Sequence, residues 1–73
     1  MTTWGIIYGW MKTSGISGLE DLARQTGISY GTLKSRKRLP QELRARELEA
    51  IRRITGMTKE DYYLLIEAAG EGR

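Results

Sequence analysis

Apolar positions recur every three or four residues along most of the chain, and glycines at 15, 27 and 56 end successive stripes. Ile6, Ile7, Trp10 and Met11 form the first such stripe, which predicts a helix capped by Thr2 or Thr3 and stopped at Gly15. Gly5 and Gly9 weaken it. "SGLE" at 17–20 reads as a capping box in which Ser17 and Glu20 exchange hydrogen bonds at the start of a second helix. Leu19, Leu22 and Ala23 are that helix's buried stripe, and Gly27 closes it. Ser29 caps a third helix with Leu33 as its main inward anchor. Pro40 fits the first turn of a fourth, along which Leu43, Glu47, Ile51 and Ile54 align beside Leu48 until Gly56. "TKED" at 58–61 starts a fifth, whose apolar face is Tyr62, Leu65, Ile66 and Ala69. Residues 70–73 are expected to fray. No stretch alternates with period two and no hairpin signal occurs, so the expectation is one all-α domain of five short helices over residues 1–73.

Composition narrows the chemistry. The chain has no cysteine and no histidine, which removes thiolate metal sites, disulfides and the usual general base. The acidic pairs Glu20–Asp21 and Glu60–Asp61 are explained by helix starts. No glycine-rich phosphate loop is present, so neither an enzyme, a cofactor nor a small-molecule ligand is expected. No apolar run approaches the length of a membrane span. The opening "MTTWGIIYGWMK" lacks a basic leader and a cleavage-site pattern, so it reads as mature protein and a cytoplasmic location is expected.

Charge is unevenly placed. Between Lys34 and Arg53 stand eight basic and three acidic residues, so that window carries +5 while the remainder of the chain carries −2. A basic middle is either a solvated face or the footprint of an anionic polymer. The segment 19–38 favours the second over a plain helix ending in glycine: two short helices are separated by a glycine, with small Ala23 at their crossing and Ile28 under the turn. That is the pattern of a helix-turn-helix, spanning about residues 18–38, whose second helix enters the DNA major groove.

"LEDLARQTGISYGTLKSRKR" resembles the helix-turn-helix of the Cro/XRE-type phage repressors, with its Leu-Ala, turn glycine, following aliphatic and serine cap. "ELRARELEAIRRITGMTKEDYYLLI" is similar to the two helices that complete the five-helix, lambda-repressor-like domain of that family. Thr26 and Arg36 stand where the family often has apolar or weakly polar residues, and Gly31 where a base-reading side chain is common. The resemblance implies a dimeric transcriptional repressor on near-palindromic double-stranded operator DNA. Base edges would be met by Tyr30, Gly31, Lys34 or Ser35. Tyr30 offers either its ring to a thymine methyl or its hydroxyl, or else packs on helix two; Lys34 meets guanine or phosphate. Ser29 and Thr32 at the helix start, Arg36, Lys37 and Arg38 at its end, Arg44 and Arg46 on the fourth helix, and Gln25 on the second are the candidate phosphate contacts. Arg52 and Arg53 are expected to pair with Glu49 or to decorate the surface. Tyr62, Tyr63, Leu64 and Ile66 form the candidate dimer seam. The rival expectation is a protein-binding module of the same fold that presents its basic face to a host or phage protein.

Overall fold

A computed structural model describes residues 1–73. Five α-helices, α1 (Thr3–Ser14), α2 (Leu19–Thr26), α3 (Tyr30–Arg38), α4 (Ala45–Thr55) and α5 (Lys59–Gly70), follow one another without a strand. A short 3-10 turn, Pro40–Glu42, separates α3 from α4. No helix is long and apolar enough to cross a membrane.

The core is built evenly. Ile7, Leu22, Leu33, Ile51 and Leu65, one from each helix, are wholly buried and belong to a single cluster. Met11, Ile16, Leu48 and Met57 seal it, with Trp4 and Ile6 above. Trp4 and Trp10 are structural: the Trp4 indole N–H donates to the Arg36 carbonyl at 3.1 Å, and that of Trp10 to Asp61 Oδ2 at 2.7 Å. Both bonds tie α1 to a distant element while keeping the indole donor satisfied.

Helix ends follow the expected glycines. At Gly27 the chain turns through φ +78, a left-handed conformation that carries no steric cost without a Cβ, and its amide donates to the Ala23 carbonyl. Three residues later α3 has begun. At α1 the cap is Thr2, whose hydroxyl accepts from the Gly5 amide at 3.0 Å. A Cβ at residue 5 would stand 2.7 Å from that hydroxyl, whereas one at Gly9 would meet nothing within 4 Å. Gly9→Ala is therefore expected to stabilise the domain by about 0.5–1 kcal/mol, read as a rise in the urea midpoint.

Several expectations are corrected. Gly18, not Ser17, is the N-cap of α2, so the reach-back falls to Asp21 instead of Glu20. Asp21 Oδ2 accepts from the Ser17 amide at 3.1 Å, and its other oxygen from Gln25 and Arg24. The Ser17 amide bond first, then the Gln25 amide, hold this carboxyl below its usual range. Pro40 opens the separate 3-10 turn; Leu43 and Arg44 are extended, and α4 starts only at Ala45. Thr58 caps α5 by accepting from the Asp61 amide, but the Asp61 carboxylate goes to Trp10 rather than back to the cap. On α5 the buried face is Leu65, Ala68 and Ala69, and Ile66 is exposed. The two alanines let α5 lie close on α1 and on the Pro40 turn.

The last residues are hydrogen-bonded back onto the chain. The Gly72 and Arg73 amides donate to the carbonyls of Ala69 and Ala68, and a main-chain oxygen of Arg73 accepts from the Thr3 amide at 2.7 Å. The first-turn amides of a helix lack partners within it, and this oxygen supplies one for α1.

Candidate nucleic-acid interface

Helix α3 buries one residue completely, Leu33. Helical spacing puts Gly31, Lys34, Ser35 and Arg38 on the side away from it, with Tyr30 at the margin, and all five are exposed. The structure thus brings the four residues expected to meet base edges onto one open ridge. At the helix start the Ser29 hydroxyl accepts from the Thr32 amide at 3.2 Å and donates to the Thr32 hydroxyl at 2.8 Å. Ser29 is a cap, and its lone pairs are partly committed.

Arg36 departs from its expected place. It follows Leu33 by three residues, so it turns inward with it. Its Nε lies 3.1 Å from Glu47 Oε1 and its Nη2 3.5 Å from Oε2, while the Arg44 amide donates to the same Oε1 at 2.9 Å. The Arg36 and Glu47 side chains keep only 16% and 10% of their exposure. Burial pushes the Glu47 carboxyl up, but the Arg44 amide and the Arg36 guanidinium together outweigh it and hold the group below its usual range. Arg36 joins α3 to α4 and is not free for phosphate. A signal for this stood in the sequence: opposite charges at 36 and 47 each occupy an apolar stripe.

The remaining cations flank the ridge. Lys37 is exposed, with its ammonium 5.2 Å from the Tyr8 ring centroid, and Lys34 sits 5.5 Å from that of Tyr30. Beside the start of α3, a cleft of about 410 Å³ has Ser29 and Thr32 on one wall and Arg46 and Arg53 on the other. Arg53 is exposed and lines this cleft, the surface placement that was one of its two expected roles, and it forms no ion pair with Glu49. Arg52 instead stacks its guanidinium 5.3 Å from the Tyr62 ring. Burial raises the Tyr62 hydroxyl pKa, with Glu49 adding to the rise. Arg44 is exposed at the start of α4, and Gln25 is exposed on α2 while bonding Asp21.

Of the residues expected at a dimer seam, Tyr63, Leu64 and Ile66 are 61%, 43% and 42% exposed. Tyr62 is half-buried against the core and does not share that face. Comparison with protein-family models, characterised proteins and solved structures returns no match.

Proposed function

We propose that the protein is a sequence-specific regulator that binds double-stranded DNA, in the manner of a Cro-like phage or prophage repressor. In this reading α2, the Gly27 turn and α3 act as a helix-turn-helix, with α3 in the major groove. The observation that carries the reading is the ridge of α3: Tyr30, Gly31, Lys34, Ser35 and Arg38 stand exposed together on a short capped helix. Lysines and arginines border it on both flanks. Arg38, Lys37, Arg44 and Arg46 then meet phosphate, and Arg53 joins them from the α4 cleft. Two chains associate through Tyr63, Leu64 and Ile66, reading a near-palindrome and blocking polymerase at a promoter.

Fluorescence-anisotropy titration of duplexes tiled across the gene's upstream region tests this at several salt concentrations. One tile is expected to bind two chains tightly, with log affinity falling steeply against log salt. Lys37→Ala combined with Arg38→Ala is expected to reduce that slope by about 2, roughly one for each phosphate contact removed. Equal weak binding to every tile would exclude an operator.

One observation favours a second reading, a protein-binding module. Tyr30 and Leu39 are large apolar residues left exposed at the two ends of α3, as an acidic peptide with an apolar anchor would use them.

A further inference from the structure

Between the start of α2 and the flank of α3 lies a notch of about 470 Å³ lined by Leu19, Tyr30, Lys34, Lys37 and Arg38. Its surface is mostly apolar, because the long basic side chains lay their hydrocarbon stems beside the leucine and the tyrosine ring. Leu19 was expected in the buried stripe of α2, yet it is only half-buried and borders this notch. Two of the three cations rest on aromatic rings, Lys34 on Tyr30 and Lys37 on Tyr8, which fixes positive charge beside the apolar surface.

Gly31 stands next to Tyr30, outside the lining of the notch. A Cβ there would meet nothing within 4 Å and its φ lies outside the left-handed region, so no packing or turn inside the molecule calls for glycine. Glycine weakens a helix interior. Its effect at this place is outward: the step of α3 next to Tyr30 is bare, and a flat partner can approach the backbone closely.

The occupant of such a notch displays a small apolar group on a flat edge, next to closely spaced negative charge. In duplex DNA that group is the 5-methyl of thymine at the major-groove edge. We infer that Leu19 and Tyr30 form a pocket for a thymine methyl, with Lys34, Lys37 and Arg38 on the phosphates flanking that base. The inference rests on the DNA-binding reading above and assigns it one element of sequence preference.

The test starts from a pool of random-sequence 20-base-pair duplexes selected on the full chain (about two helical turns, enough for two copies of α3). The enriched duplex is resynthesised with deoxyuridine replacing thymidine at one position at a time, which removes a methyl and nothing else. One thymine in each half-site is expected to lose about fourfold in affinity on this change, the worth of one buried methyl-sized group. Tyr30→Ala and Leu19→Ala are expected to bind the thymine and uracil duplexes equally. Tyr30 is exposed, so its variant keeps the comparison valid even where Leu19→Ala loosens α2. Indifference of the unaltered protein to every uracil substitution would overturn the pocket while leaving sequence-specific binding intact. A methyl effect that persists in Tyr30→Ala would overturn it equally, by placing the methyl elsewhere. Failure to enrich any duplex would remove the DNA-binding reading, and the pocket with it, leaving the acidic-peptide reading of α3.

Discussion

Replacing Leu33 by alanine is expected to cost about 2–5 kcal/mol, the range for truncating a fully buried leucine. Leu33 is wholly buried and is the only residue of α3 that is. The nine residues of α3 are otherwise polar, half-buried or exposed, so its seating depends on Leu33, on the Arg36 ion pair and on the Trp4 indole bond to the Arg36 carbonyl. A domain of 73 residues is stable by only about 4–11 kcal/mol, so the loss is a large fraction of the whole. Urea unfolding reads it directly, and Leu33→Met, which conserves volume, is expected to cost less than about 1.5 kcal/mol. A loss below about 1 kcal/mol for the alanine variant would mean that the cluster closes over the gap. On the proposed function the consequence reaches DNA: an α3 without its anchor presents its ridge in many orientations, and affinity falls with stability.

Glu47→Ala is expected to destabilise by about 2–4 kcal/mol. It leaves the largely buried Arg36 guanidinium without its carboxylate and the Arg44 amide without its acceptor. The value sits somewhat under that of a fully buried pair because both side chains retain some exposure. Exchanging both members for apolar residues, Arg36→Met with Glu47→Leu, is expected to recover most of the loss, since neither charge is then stranded. The pair also gives stability a pH dependence with a definite sign. The folded-state pKa of Glu47 lies below its ordinary 4.5, so the contribution is complete above about that pH and disappears as pH falls through the depressed value. Asp21 acts in the same direction. Urea midpoints are expected to hold steady near neutrality and fall below about pH 4.5, less steeply in Glu47→Gln. An equal slope in that variant would show that the pair plays no part in acid sensitivity.

Much of this architecture was legible from local signals. Gly15, Gly27 and Gly56 end helices because each takes the left-handed conformation, and Thr2, Ser29 and Thr58 begin them by accepting an amide. Leu33 as the inward anchor of α3 followed from helical spacing, while the residues of its exposed ridge were those the family resemblance implied. Most of what was missed depended on residues that only the fold brings together. Pro40 is equally suited to the first turn of an α-helix or of a 3-10 turn, and only the extended Leu43 and Arg44 separate the two. Ile66 outranks Ala68 in hydrophobicity, but α5 lies so close to its neighbours that the small residue is the one buried. Arg36 belongs to a basic run in the sequence, and the fold sets Glu47 opposite it. The place of Leu19 beside Tyr30 is a property of two helices together and has no trace in either one.

The bond between Thr3 and Arg73 has a consequence for motion. Chain ends are ordinarily where a small protein opens first, each at its own low free energy. Here a single bond, from the Thr3 amide to a main-chain oxygen of Arg73, joins the first turn of α1 to the residues after α5, and α5 lies along α1. Opening at either end breaks that bond for both, which couples the start of α1 to the residues after α5. The flank of the molecule farthest along the chain from α3 is thereby closed like a clasp.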